Sequence, residues 1–274
     1  MVDFNYHPVQ FYVPSDEPLR DYVQAIWQVR RENLFHKEVI LPKGIVEIIF
    51  NFSLETKLKA DLYGREFFIP RCFVQGYHTG PIQLNLPLSH FLFGVMLNTS
   101  GAKQILGVPP GELFQQCIDL TLIDTSFDRL WHQLAEEKSF HERKKCFSNW
   151  LLPRLSPLKY RDRALNGLLG LRTKKKLTVS NVANWLSYSP RQLSRNFYQL
   201  TGMNTEQTLL YLKYLTAKKL IHSSDLSLSQ IAYEAEFSDQ PHFIKTFKRF
   251  THLTPKAYRE RISELEGHYF ENVR

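Results

Sequence analysis

The spacing of hydrophobic and polar positions divides this 274-residue chain into two parts. Up to about residue 97, short runs rich in β-branched and aromatic residues, such as Gly44 to Phe52, are separated by Gly and Pro, a pattern typical of strands and turns. From Asp124 onward, apolar residues recur every three or four positions, as they do along one face of a helix. The pattern predicts an α+β protein, with a mostly β N-terminal domain and trailing helices followed by an all-α C-terminal domain.

Charge is distributed unevenly between the two parts. Residues 1–155 carry 16 Lys and Arg against 17 Asp and Glu, whereas residues 156–274 carry 19 against 10. Because Pro153 and Pro157 favour a joint at this point, we predict one domain over 1–155 and a second over 156–274. The excess of positive charge in the second domain indicates a polyanionic partner, and an ordinary solvated basic surface is the alternative.

The second domain contains an internal repeat, in which 182–204 aligns with 231–254. The aligned pairs include Ala183 with Ala232, Leu193 with Phe243, Phe197 with Phe247, and Thr201 with Thr251. In each copy a short helix with a small Ala is followed by a tight turn and a second helix, the pattern of a helix-turn-helix unit. We therefore predict units over about 178–203 and 227–252, joined by a connecting helix over 205–221.

Helix-capping residues support these boundaries. Ser189 suits the N-cap of the second helix in the first copy, Pro190 suits the first helical position, and Gln192 can close a capping box. Asn204 and Gln207 have the same spacing at the start of the connecting helix. A helix of that length spans about 25 Å, so it would hold the two units at a fixed separation.

The second helix of each copy is predicted to bury one face and to present polar side chains on the other. Arg can pair with two acceptors on guanine, Gln can pair with adenine, and Ile can contact a thymine methyl, so these helices suit the major groove of DNA. An ordinary solvated helix face is the alternative for either copy alone. The candidate DNA-binding residues are Arg191, Gln192, Ser194, Arg195, Gln240, His242, Ile244, Lys245 and Lys248.

From about Leu177 to Ile262 the chain resembles the AraC/XylS-type bacterial transcription regulators. The resemblance is carried by "SPRQLSRNF", the connecting helix, and "SLSQIAYEAEFSDQPHFIKTFKRFTHLTPKAYR". It implies two recognition helices in successive major-groove segments, with the base-reading positions of the family falling on Arg191, Ser194, Arg195, Gln240, Ile244 and Lys245. The chain departs from the family pattern at Ser187 and Glu236, where Gly is frequent, at His252, another frequent Gly, and at Pro241, which replaces a polar residue.

The N-terminal half is similar to the regulatory region of one branch of that family, through "LPKGIVEIIFNF", "GYHTGP" and "FLFGVMLNTSGAKQILGVPPGEL". This resemblance implies a half that senses a signal or mediates dimerisation. The expected partners are double-stranded DNA, a small-molecule effector of unknown identity and binding site, RNA polymerase and a second copy of the chain. No cofactor is predicted.

Other kinds of site were weighed against this interpretation. His78 and His90 lack a carboxylate or Cys at metal-ligand spacing, so no metal site is predicted, and the three Cys are expected to be buried thiols. Glu47 could face a pocket, but a place on an outer sheet face is favoured. The alternative function is an enzyme whose β domain does the chemistry. It would need a cluster of titratable residues within 1–155, and the sequence indicates none, so no catalytic residue is predicted.

The location of the protein is also predicted from what its sequence lacks. No apolar run of about 18 residues is present, so no membrane span is predicted. The first residues do not combine a basic segment with an apolar run, so no secretory signal is predicted. We therefore expect a cytoplasmic protein, and the family resemblance implies a bacterial one.

Overall fold

The N-terminal half is built from two antiparallel sheets, as the strand-like pattern predicted. The computed structural model describes residues 9–53, 58–170 and 178–273. The strands are β1 Val9–Tyr12, β2 Val23–Glu32, β3 Phe35–Ile40, β4 Val46–Asn51, β5 Lys59–Leu62, β6 Arg65–Phe68, β7 Cys72–Gln75, β8 Ile82–Asn85, β9 Ser89–Leu97, β10 Cys117–Asp119 and β11 His268–Val273. Strand β4 lies within the segment Gly44 to Phe52 from which it was predicted.

Strand order shows that both sheets depend on pairing between distant parts of the chain. The six-stranded sheet has the order β1-β2-β9-β4-β7-β10, and the five-stranded sheet has the order β11-β3-β8-β5-β6. In β8, Ile82 and Leu84 are buried while Gln83 and Asn85 are exposed, as expected for a sheet with one face on the core.

Helices follow the sheets and fill the second half. They are α1 Leu19–Tyr22, α2 Thr99–Leu106, α3 Ser126–Glu136, α4 Phe140–Leu151, α5 Tyr160–Leu169, α6 Val179–Leu186, α7 Pro190–Thr201, α8 Thr205–Ser223, α9 Leu228–Glu234, α10 Gln240–Thr251 and α11 Pro255–Arg259. The predicted helices after Asp124 are present as α3 and α4. The α+β fold class is therefore confirmed.

The internal repeat forms two helix-turn-helix units with matching turns. In the first unit the backbone N–H of Tyr188 donates to the carbonyl of Ala183 at 2.9 Å, and in the second the N–H of Phe237 donates to the carbonyl of Ala232 at 2.9 Å. Both alanines are buried. Their small side chains let α6 cross α7, and α9 cross α10, at close distance.

The predicted caps are present. Ser189 and Gln192 form a capping box at the start of α7, and Asn204 and Gln207 form one at the start of α8. In the second unit Asp239 takes the N-cap position, and its carboxylate accepts from the backbone N–H of His242 at 2.7 Å. The second copy is one residue longer than the first, and the residue after Ser238 lies at the N-cap of α10.

The last strand is a feature that the helical pattern of the second half did not predict. After α11 the chain returns to the N-terminal half, where β11 pairs antiparallel with β3, from His268 opposite Ile40 to Val273 opposite Phe35. The five-stranded sheet is therefore completed by the last residues of the chain.

Three departures from the family pattern occur where the backbone is left-handed. Ser187, Glu236 and His252 have φ values of 52°, 60° and 60°. Glycine adopts this conformation without the steric cost that a Cβ adds, which explains why glycine is frequent there. His252 ends α10, and the equivalent residue that ends α7 is Gly202, with φ 75°.

We predict that His252→Gly raises the free energy of unfolding by about 0.5–1 kcal/mol, because it removes the cost of a side chain at positive φ. Thermal unfolding should show a higher melting temperature. Gly202→Ala is the matched reverse change and should lower it, since a Cβ there would lie 2.4 Å from Cβ of Phe114. Equal melting temperatures for His252→Gly and the unchanged protein would contradict the strain argument.

Candidate nucleic-acid interface and internal cavity

Helices α7 and α10 each bury one face completely. Leu193 and Phe197 of α7 and Phe243 and Phe247 of α10 are 0% exposed, and Phe250 is 5% exposed. The rings of Phe243 and Phe247 pack edge to face with centroids 5.9 Å apart. Such packing fixes the rotation of each helix about its own axis, so the opposite face has a defined composition.

The candidate DNA-binding residues lie on that opposite face or at its border. Exposed are Arg191, Gln192, Arg195, Lys245 and Lys248, and half-buried are Ser194, Gln240, His242 and Ile244. Within the residues that the structure describes, the ion pairs do not include Arg191, Arg195, Lys245 or Lys248. Among the described residues, no ion pair therefore neutralises the positive charge of this face.

Four of the candidates have local partners that restrict them. Gln192 closes the cap of α7, and Oε1 of Gln240 accepts from the hydroxyl of Ser229 at 2.7 Å. Nδ1 of His242 lies 2.9 Å from Oγ of Ser238. Ile244 packs partly against the core. Arginine and lysine side chains are therefore the freest of the candidates, and all nine assignments stay predictions.

A cavity of about 140 Å³ lies in the N-terminal half, lined by residues of both sheets. One part of its wall is apolar and is formed by Ile49, Leu58, Ala60, Ile69, Phe73, Ile82 and Leu84, among others. A cavity with such a wall has the form of a small-molecule site, which combines apolar surface with a few placed polar groups.

Glu47 lies in the polar part of the cavity wall, so the favoured outer sheet position was wrong. It is 4% exposed. Its carboxylate accepts from Nζ of Lys43 and from Nε1 of Trp27, each at 2.9 Å. Burial acts to raise its pKa, but these partners stabilise the ionised form more strongly and hold the pKa below the ordinary value.

Glu38 is the second buried carboxylate of the cavity wall, and its partner is His268. Its carboxylate is 2.6 Å from Nδ1 of His268, and Arg31 lies 4.0 Å from the same oxygen. Burial acts to raise the pKa of Glu38, yet the hydrogen bond and charge of His268 lower it overall. Burial also lowers the pKa of His268.

His78 and His90 complete the polar wall as neutral imidazoles. Nδ1 of His78 lies 2.7 Å from the carbonyl of Gly80, and Nδ1 of His90 lies 2.8 Å from the amide nitrogen of Asn33. Burial lowers the pKa of both rings to about 4. Among the described residues, no group of three or more His, Cys, Asp or Glu could hold a metal ion.

The sequence did not indicate this titratable cluster, and its expected absence from residues 1–155 was wrong. Four members, Glu38, Glu47, His78 and His90, come from separate strands and a loop. His268 comes from the opposite end of the chain, and Leu265 beside it also lines the cavity. Spacing along the chain contains no signal for residues that only the sheet pairing brings together.

The three cysteines are free thiols, Cys72 being buried and Cys117 and Cys146 half-buried. Burial raises the pKa of Cys72 and Cys117 to about 12, so both stay protonated and weakly nucleophilic near neutral pH. In the part of the chain that the structure describes, no helix combines the length and apolarity needed to cross a membrane.

Comparison with known families identifies the second half. A family described as a helix-turn-helix domain matches residues 182–261, and a domain of unknown function, DUF6597, matches residues 10–119. Residues 182–261 are thus similar to known helix-turn-helix domains. The match includes both copies of the repeat, 182–204 and 231–254.

Two curated relatives are transcription regulators by name. The MmsAB operon regulatory protein of Pseudomonas aeruginosa is 29% identical over 119 residues, which cover 42% of this chain and 39% of the relative. The transcriptional activator RhaS of Escherichia coli is 35% identical over 79 residues, which cover 29% of this chain and 28% of the relative. The chain thus spans well under half the length of these relatives.

One solved structure has a similar fold over most of its length. The apo form of a ToxT variant from Vibrio cholerae matches with a TM-score of 0.50 at 10% identity, covering 87% of this chain and 98% of that chain. The likeness shows that the overall fold of this chain is shared with a known protein.

We predict that acid destabilises the protein through the cavity histidines. The folded-state pKa values of His78 and His90, about 4, lie below the ordinary value of 6.5. Their neutral forms therefore stabilise the fold above pH 6.5, and this contribution is lost as the pH falls from 6.5 through 4. Each histidine adds a slope of up to about 1.4 kcal/mol per pH unit.

Thermal unfolding between pH 7.5 and pH 4.5 measures this effect, and the melting temperature should fall in acid. In His90→Asn, which keeps an acceptor for Asn33, the fall should be smaller. His132 is exposed, so His132→Asn is the control and should leave the dependence of the melting temperature on pH unchanged. A melting temperature that does not depend on pH over this range would refute the prediction.

Proposed function

We propose that this protein is a transcription regulator that reads two segments of duplex DNA with α7 and α10 and responds to a small molecule in the β domain. The observation that carries the proposal is the pair of capped helices with basic outer faces on a single connecting helix. The family match over residues 182–261 supports the DNA-binding part. The proposed place of action is the bacterial cytoplasm.

In this proposal α7 and α10 each enter the major groove with the face opposite their phenylalanine core. Arg191 and Arg195 extend from α7, and either guanidinium can pair with O6 and N7 of guanine. Lys245 and Lys248 extend from α10 and add base or phosphate contacts. Ser194, Gln240 and Ile244 are the remaining positions that the family resemblance implies for base reading.

The connecting helix determines the spacing of the DNA segments that the protein can read. Helix α8 has 19 residues, which is about 28 Å at the helical rise. Since it has no break, the two recognition helices keep one separation. With the width of each unit added, this suits two sites on the same face of DNA, about 10 base pairs apart.

The cavity supports an effector of limited size and little charge. Its volume of about 140 Å³ is close to that of cavities known to hold benzene, about 150 Å³. Glu47 is paired with Lys43, and Glu38 with His268, so neither carboxylate is left uncompensated for a cationic ligand. We therefore propose an uncharged molecule of about one ring in size with hydrogen-bonding groups on one side.

RNA polymerase and a second copy of the chain are further proposed partners, which the family resemblance implies. We favour sensing over catalysis in the cavity because both carboxylates are ionised and already bound by cationic or N–H partners. A carboxylate held in this way is a weak base and cannot act as an acid near neutral pH.

We predict that Arg195→Ala relaxes base preference at one position of the site. The loss should be about 1–3 kcal/mol for the preferred base and smaller for the others, because Arg195 does not support the core. Binding of the full chain to a panel of single-base variants measures this. Arg129→Ala removes the same charge from an exposed position on α3 and should not change the preference. Equal weakening on every sequence would mean that Arg195 contacts phosphate only.

We also predict a strict dependence on the distance between the two DNA segments. Inserting about 5 base pairs between them rotates one segment to the far side of the helix, so specific affinity should fall towards the non-specific level. Inserting a full turn of about 10 base pairs should not restore it, because α8 cannot lengthen. Binding of the full-turn insertion as tight as that of the original site would rule out a rigid connection.

A further inference from the structure

The last residues of the chain follow the helix-turn-helix match, which ends at residue 261. We call residues 262–273 the C-terminal tail. Its strand β11 pairs with β3, and the carbonyl of Gly267 accepts from the backbone N–H of Leu41 at 2.7 Å just before the strand begins. The tail thus joins the end of the DNA-binding half to the sheet that encloses the cavity.

One side of the tail forms part of the cavity wall. Leu265 and His268 line the cavity, and Nδ1 of His268 donates to Glu38 at 2.6 Å. The guanidinium of Arg31 lies over the ring of Phe270 with its carbon 4.7 Å from the ring centroid. A molecule in the cavity would therefore touch the tail directly.

The other side of the tail holds the connecting helix. Lys218 of α8 is 3% exposed, and its Nζ lies 3.5 Å from the carboxylate of Glu266 and donates to the carbonyl of Pro42 at 3.0 Å. The N–H of Gly267 donates to the hydroxyl of Tyr258 at 3.0 Å. A Cβ on Gly267 would lie 3.0 Å from Nζ of Lys218, so tail and helix are in close contact.

The loop formed by residues 42–44 has the same two-sided position. Lys43 binds Glu47 on the cavity side. On the helix side, the N–H of Gly44 donates to the hydroxyl of Tyr211 at 3.1 Å, and the hydroxyl of Tyr214 donates to the carbonyl of Pro42 at 3.2 Å. The tail and this loop therefore form one continuous wall between the cavity and α8.

We propose that the C-terminal tail is a latch that couples the polar wall of the cavity to the docking of α8 on the N-terminal half. This rests on the proposed function, since it assigns a regulatory role to the same cavity. A ligand that hydrogen-bonds to Glu38 or His268 competes with the bond between them and weakens the hold of the tail. Because both recognition units pack on α8, they shift together when the latch opens.

The closed latch does not cover the proposed DNA-binding surface. Arg191, Arg195, Lys245 and Lys248 are exposed while β11 is paired with β3. The latch thus controls how the DNA-binding half is oriented on the N-terminal half, rather than blocking access to DNA.

Hydrogen exchange on the full chain tests the coupling with a change made at the cavity and a readout at the helix. Glu38→Gln replaces a charge-assisted hydrogen bond by a neutral one, so amides of β11 and of the α8 segment 211–218 should exchange about tenfold faster. Glu271→Gln is the matched control, because it removes a carboxylate from the same strand pair where that group binds the exposed Arg261. It should leave α8 unchanged.

A second pair of variants separates the hydrogen bond from general packing. His268→Ala should accelerate exchange in 211–218, and His268→Asn, whose amide can still donate to Glu38, should restore most of the protection. If both variants behave alike, or if β11 exchanges faster while α8 does not, the latch is overturned. If Glu38→Gln does not fold, the exchange rates of the two His268 variants test the latch by themselves.

A disulfide cross-link between β3 and β11 gives the most direct test of the latch. Lys37 and Glu271 are opposite each other in the pairing of β3 and β11, at a separation that a disulfide can span. In Lys37→Cys with Glu271→Cys, oxidation should abolish the effect of Glu38→Gln on α8, and reduction should return it. An undiminished effect in the oxidised protein would overturn the proposal. Absence of duplex DNA binding by the unchanged chain would instead refute the proposed function and leave the exchange result standing.

Discussion

The burial of Tyr211, Tyr214 and Lys218 along α8 is the constraint on which the rest of the structure depends. Tyr211 and Tyr214 are 1% and 0% exposed, and Lys218 is 3% exposed. A buried hydroxyl or ammonium needs a partner, and all three find one in the backbone of the N-terminal half. In this position the helix satisfies these polar groups, and the two recognition units and the β domain are arranged around it.

The same requirement explains the cavity wall. Two carboxylates and three imidazoles would be costly to bury alone, and each is paired or kept neutral by its surroundings. Such pairs add little net stability compared with apolar packing, but removing one partner leaves a buried charge. Because of that asymmetry, a ligand that competes for one partner of a buried pair would destabilise the cavity wall. Lys43 and His268 belong to segments that also contact α8, so this change would occur next to the helix.

The helix-turn-helix units were predictable in detail because their determinants are local. A capping box and a turn each span four residues, and the apolar face of α10 repeats every three or four positions. The cavity was not predictable, and the misplacement of Glu47 shows why. In "IVEIIF" every side chain alternates between two faces, but which face meets a second sheet depends on strands that lie far away in the chain.

By itself, therefore, the sequence determined the two helix-turn-helix units, the connecting helix, the basic character of the second half and the β character of the first. These follow from periodicity, caps and composition within short windows. Tertiary structure alone decided that β11 completes the sheet of the N-terminal half, and that Glu38 and His268, at opposite ends of the chain, meet at 2.6 Å. The pairing of distant strands depends on the summed packing of the whole fold, for which no short segment holds the information.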